Sequence, residues 1–145
     1  MAKHTKPHGN KSADPQTSHA KAPMTPGRFA YQGLERVLHE KARLGIMTSL
    51  VTRPEGLLFG ELKQLCELTD GNLSRHLDVL HEAQLVELWK GFENKRPQTL
   101  CRLSRTGRER FLKYLGELER VVRDVQTSAE RKPAAASLPA GWVPV

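Results

Sequence analysis

The sequence predicts an α+β domain, mainly helical, carrying one small β-hairpin. Apolar residues recur at helical spacing between Leu34 and Val51, Leu62 and Leu80, and Phe111 and Val125. An alternating stretch between Leu85 and Leu103 is interrupted by turn formers, and both ends are poor in large apolar residues. The 145 residues, 38% of them hydrophobic, suit one domain of about 100 residues with tails.

Residues 1–28 are rich in Lys, His, Ser, Pro and Gly, too polar to offset the entropy of ordering, and are expected to form a flexible basic arm. The domain proper is expected over 29–127. Its first helix, or pair of helices, is marked by Leu34, Val37, Leu38, Leu44, Met47, Leu50 and Val51 and ends before Pro54-Glu55-Gly56. Leu57, Leu58 and Phe59 make an apolar run fit for a short strand, and Leu62, Leu65 and Leu68 mark a second helix. Thr69-Asp70-Gly71 supplies a turn in which Thr69 or Asp70 can accept a hydrogen bond from the next helix.

A third helix is expected from about Gly71 to Ala83. Leu73, Leu77 and Leu80 give it one apolar face, while Asn72, Arg75, His76 and Val79 fall on another. Leu85 to Lys90 and Thr99 to Leu103 read as paired strands, and Gly91 to Gln98 between them forms a basic tip.

The last helix starts near Ser104 or Thr106, where Thr106 and Glu109 fit a capping box, and runs to about Gln126. Phe111, Leu115, Leu118, Val122 and Val125 form a seam along it, widened by Leu112, Tyr114 and Val121. Such a seam can serve the core alone or pack against a two-fold mate; its length favours a dimerisation helix. The remaining tail, 128–145, contains Trp142 and Val143, which can dock on a partner, dock on the domain or stand idle.

Helix, helix, turn, helix, strand, basic loop, strand, helix is a winged helix-turn-helix in outline. The pieces Leu38-His39 with Arg43, Ile46 and Leu50, Phe59-Gly60-Glu61-Leu62, Thr69 through Leu77, Lys95-Arg96-Pro97, and Leu103-Ser104 with Gly107-Arg108 resemble winged-helix transcriptional regulators related to the MarR and ArsR groups. The likeness is greatest to their small "winged helix DNA-binding domain" branch and spans residues 34 to about 122. It implies a DNA-binding regulator, a repressor rather than an activator. Gln84 departs from the pattern, since such regulators usually have Gly in the turn after the recognition helix.

The residues support that implication independently. A helix entering the major groove needs short polar side chains near its N-terminus and a long planar donor for guanine. Asn72, Ser74 and Arg75 supply these types, and His76 can contact a base or phosphate, or pack half-buried beside the preceding helix. Lys63, Gln64 and Thr69 are placed for phosphates, as are Lys90, Asn94, Lys95 and Arg96 on the wing, with the adjacent minor groove also in reach. Arg105, Arg108 and Arg110 at the positive end of the last helix face phosphates or pair locally. The expected partners are a pseudo-palindromic duplex, a second copy of the chain placing two recognition helices about 34 Å apart, and an unidentified small-molecule effector near the seam.

Charge agrees with a polyanionic partner. The formal net charge is +7; residues 1–30 hold five Lys or Arg against one Asp, and residues 31–128 hold sixteen basic against fourteen acidic groups. No nucleophile triad, carboxylate pair or Gly-rich phosphate loop appears, so no enzyme and no cofactor is expected. Cys66 stands alone on its helix, and His4, His8 and His19 are irregularly spaced, so no metal site is expected. Cys66 and Cys101 are far apart, which points to a reducing, cytoplasmic setting, and a redox role for either stays open. No run reaches the length of a membrane span. The competing function is a winged helix used as a protein-interaction module, which would display an apolar recognition surface.

Overall fold

The computed structural model describes residue 3, residues 24–130 and residues 138–145. Most of the expected arm, including His4, His8 and His19, and part of the expected tail lie outside the described residues. Residues 24–30 make local turns, with the Arg28 N–H donating to the Thr25 carbonyl at 3.1 Å and the Ala30 N–H to the Gly27 carbonyl at 3.0 Å. A second unit begins at Tyr31.

That unit contains α1 (Lys41–Val51), β1 (Leu57–Leu58), α2 (Phe59–Cys66), α3 (Asp70–Glu82), β2 (Val86–Glu93), β3 (Arg96–Leu103) and α4 (Arg105–Ala129). The strands form an antiparallel sheet in the order β1-β3-β2. Leu57 lies opposite Cys101, and β2 pairs with β3 from Val86–Leu103 out to Glu93–Arg96. Four helices and a small antiparallel sheet in this order are the α+β winged helix that the sequence predicts.

The first helix needs correction. Residues 31–40 are turns, not helix, and α1 begins only after Glu40, whose carboxylate accepts the Arg43 N–H at 2.9 Å. Leu34, Val37 and Leu38 still turn inward, which mimics helical spacing. The segment takes its shape from α4. The Tyr31 hydroxyl donates to Asp124 at 2.8 Å, Arg110 forks onto the Glu35 carboxylate at 2.7–3.2 Å, and His39 Nδ1 is hydrogen-bonded to the Tyr114 hydroxyl at 2.8 Å. Each of these bonds joins residues at least 75 apart in sequence.

The α3 helix follows from its residues. Thr69 Oγ1 accepts the Asn72 N–H at 3.2 Å and caps it, and Leu73, Leu77 and Leu80 are buried. They meet Ile46, Met47 and Leu50 of α1, Leu62 of α2, Val86 and Cys101 of the sheet, and Phe111 and Tyr114 of α4 in one core. Gly56 enters β1 with φ +100°, where a side chain would also collide with the Cys101 carbonyl.

The hairpin is longer and its turn tighter than expected. The strands continue to Asn94-Lys95, both with positive φ (50° and 65°), as a two-residue type I′ turn requires. At the start of α4, Ser104 Oγ accepts the Gly107 N–H at 2.8 Å, so Ser104 is the cap and the Thr106 alternative is not used. With 25 residues, α4 is about 37 Å long.

Candidate nucleic-acid interface

The exposed N-terminal half of α3 is the centre of the site. Asn72, Ser74 and Arg75 are exposed, and an Arg75 guanidinium N–H donates to Asn72 Oδ1 at 3.3 Å. The contact holds a planar donor over an amide at the N-terminal end of the helix, where first-turn backbone N–H groups lack intrahelical partners and the Asn72 N–H is capped by Thr69. Lys63 on α2 reaches Asp70, the first residue of α3, at 2.9 Å, and exposed Gln64 is its neighbour on α2. Thr69 is also exposed, although its hydroxyl oxygen already serves as the cap. Asp78, one turn beyond Arg75, confines the cationic character to the first half of the helix.

His76 is placed differently from the other three candidates for base contact. Its side chain is only 12% exposed and lies against α1, with Nδ1 3.3 Å from Arg43 Nη1 and 3.7 Å from Glu40 Oε2. Arg43 is itself fixed by donating through Nε to the Val37 carbonyl at 2.6 Å. Of the two sequence readings of His76, base or phosphate contact and packing half-buried beside the preceding helix, the placement of the ring against Arg43 and Glu40 matches the second. Burial opposes ionisation of Glu40, but the backbone N–H groups of Arg43 and Ala42 and the charges of His76 and Arg43 hold its carboxyl below the usual range.

The hairpin projects Lys90, Asn94, Lys95 and Arg96, all exposed. Lys90 Nζ donates to Thr99 Oγ1 at 2.9 Å, tying that cation to the neighbouring strand. On the opposite sheet face, Arg102 lies 5.7 Å from the Trp89 ring centroid and donates to Glu87 at 2.9 and 3.1 Å. Hydrogen bonds from Arg102, and then from the Trp89 indole, hold the Glu87 carboxyl below its usual range. The sequence reading missed Trp89 and Phe92, exposed by 53% and 79%. Their signal was available in the strand alternation, which carries large apolar residues past the end of the core.

The seam on α4 divides. Phe111 is 1% exposed and belongs to the core, so the expectation that it meets a second copy is corrected. Leu115 and Leu118 are half-buried, while Val122 and Val125 are 53% and 61% exposed. Leu115, Leu118, Glu119, Val122 and Arg123 line a groove of about 610 Å³. Of the other cations at the head of α4, Arg105 is 3.4 Å from Glu109 and Arg110 is committed to Glu35, while Arg108 is exposed.

Among the described residues there is no group of three or more His, Cys, Asp or Glu arranged for a metal ion, and no helix long and apolar enough to cross a membrane. Cys101 is buried, and burial pushes its thiol up to about 11; Cys66 Sγ lies 3.7 Å from Ser49 Oγ.

A capped helix with polar side chains at its exposed N-terminal end, followed by a basic two-stranded wing, defines the winged-helix class of DNA-binding domain. The profile of winged helix DNA-binding domains matches residues 42–122, and the chain belongs to that family. An uncharacterised protein of Methanocaldococcus jannaschii is 34% identical over 68 residues, 47% of this chain and 74% of that protein. The structure of a transcriptional regulator homologue from Pyrococcus horikoshii superposes with a TM-score of 0.58 at 31% identity, covering 61% of this chain and 87% of the other. MarR shares the fold, with a TM-score of 0.54 at 24% identity over 66% of this chain and 72% of its own. The chain is thus a member of the winged helix DNA-binding domain family with the fold that MarR also has.

Proposed function

We propose that this protein is a sequence-specific DNA-binding repressor that acts as a cytoplasmic homodimer. The observation that carries the reading is the exposed trio Asn72, Ser74 and Arg75 on the capped N-terminal half of α3. In this reading the trio enters the major groove and Arg75 pairs with a guanine. Lys63, Gln64 and Thr69 meet phosphates on one side, and Lys90, Asn94, Lys95 and Arg96 on the other. His76 takes no base.

Leu115, Leu118, Val122 and Val125 form the two-fold contact, since α4 leaves them partly or largely uncovered. Two copies then address a pseudo-palindromic operator. The groove along α4 is where a small-molecule effector would meet the seam. The polar character of the α3 face favours DNA over a protein ligand, which would call for an apolar recognition surface there.

Selection from a random duplex library, at about 150 mM salt to suppress non-specific phosphate binding, tests the reading. A two-fold motif with half-sites about one helical turn apart is expected. Recovery of no motif by folded protein would turn the reading toward a protein-interaction module.

A further inference from the structure

Phe92 is the most exposed large apolar side chain of the sheet, at 79%. Alternation along β2 places it on the same face as Val86 and Leu88, which pack into or against the core. Past the edge of the core that face continues as an overhang bearing Lys90 and Thr99, then Phe92 and Pro97, as opposed pairs. A two-residue turn makes Glu93 and Arg96 the hydrogen-bonded closing pair, so Phe92 and Pro97 form the next, non-hydrogen-bonded pair. There the missing N–H of Pro97 costs no ladder bond, and opposed side chains stand closest. Proline thereby backs the aromatic ring.

The surroundings of the ring are cationic. Lys90 shares its face and Lys95 forms the turn, while Glu93 and Arg96 oppose each other on the other face, where the arginine balances the carboxylate. A ring exposed among cations complements a partner with negative charge on both sides of an apolar slot. The minor groove of duplex DNA has that form: two phosphate rows flank sugars and base edges, and a side chain can wedge between base steps.

We propose that Phe92, backed by Pro97, is an apolar wedge that enters the minor groove beside the α3 site and selects an easily unstacked pyrimidine–purine step there. The inference rests on the DNA-binding reading above and adds a second, shape-reading element to it. Lys95 and Arg96 alone would position the wing; Phe92 gives it sequence preference.

The test uses the full chain, with wild type, Phe92→Ala and Phe92→Leu each selected on duplexes randomised in the centre and both flanks. Wild type is expected to enrich TA or CA steps in the flanks. Phe92→Ala should keep the central motif, lose the flank enrichment and bind the selected duplex about tenfold more weakly, with an unchanged salt slope. Phe92→Leu should restore part of the flank preference. A 2-aminopurine placed at the flanking step should brighten with wild type and not with Phe92→Ala.

Retention of flank preference and of affinity within about twofold by folded Phe92→Ala would overturn the wedge. A change in oligomeric state without a change in selection would also overturn it and assign the ring to a protein contact. Failure of wild type to select any central motif would instead overturn the DNA-binding reading, and the wedge with it.

Discussion

Gly107 lies so close to Leu85 that a side-chain carbon built on it would overlap the Leu85 carbonyl oxygen. The same oxygen accepts the Ser104 N–H at 3.1 Å, so the turn entering β2 and the first turn of α4 are joined backbone to backbone. Gly107→Ala is expected to cost roughly 2–3 kcal/mol, read as a lowered urea midpoint, because both sides of the clash are main chain. Gly116, also in α4 but with open space beside it, is the control. Gly116→Ala should stabilise by roughly 0.5–1 kcal/mol through helix propensity, read as a raised urea midpoint.

Gln84 occupies the left-handed region, with φ 63°, at the corner between α3 and β2. A side chain at this φ is strained, and the regulators that this sequence resembles usually place Gly here. Gln84→Gly should therefore be neutral to stabilising, by up to about 1 kcal/mol, in spite of the greater entropy of the unfolded glycine. Equilibrium unfolding decides it, and a clear loss of stability would mean that the corner is not strained.

Glu40 caps α1 and carries a lowered carboxyl pKa. A depressed folded value means stability that is present above the unfolded carboxyl's pKa and is lost as pH falls through the folded one. Glu40→Gln should cost about 1 kcal/mol near pH 7, and the gap between variant and wild type should narrow as the pH falls below the usual carboxylate range. Urea midpoints across that range give the comparison.

Cys101 is fully buried with its thiol raised, whereas Cys66 is partly exposed. A thiol reagent at about pH 8 should modify one cysteine in the native protein and both in urea, with Cys66→Ser abolishing the native reaction. Because the folded thiol is the weaker acid, the stability tied to Cys101 is present below its ordinary value of 9.0 and declines as pH rises toward about 11.

Arg75→Ala and Arg96→Ala should differ in kind. The first should relax discrimination at one operator position by roughly 1–3 kcal/mol, while the second should weaken binding to all sequences and flatten the salt slope. Binding isotherms on matched and mismatched duplexes at several salt concentrations measure both. Equal effects on every sequence would overturn the proposed division between α3 and wing. Val122→Glu should leave the protein monomeric where wild type forms the proposed dimer, as read by light scattering, because it places charge on the exposed part of the α4 seam.

The α3 helix was readable in the sequence because its signals agree: a Thr cap, three leucines on one face, and polar residues on the other. The hairpin was readable in kind but short by several residues, since neither Asn94 nor Lys95 is a glycine and the composition of Gly91 to Gln98 suggested a broader loop. Residues 31–40 were misread because inward-facing Leu34, Val37 and Leu38 produce helical spacing from consecutive turns. What fixes those turns is a set of partners on α4, a relation between distant residues that no local period encodes. The same limit applies to His76 and Phe111, whose orientations depend on Glu40, Arg43 and the packing of α4. Of the candidate site, the trio on α3 and the wing cations are exposed where expected, while the wing aromatics went unnoticed.

The bonds from Tyr31 to Asp124 and from Glu35 to Arg110 span 93 and 75 residues. A chain emerging from the ribosome makes its first turns long before the residues that secure them exist. The segment before α1 lacks its α4 partners until that helix has been synthesised, so this part of the domain closes late. The sheet and the α3 helix can assemble earlier, but the first part of the domain to leave the ribosome is among the last to find its place.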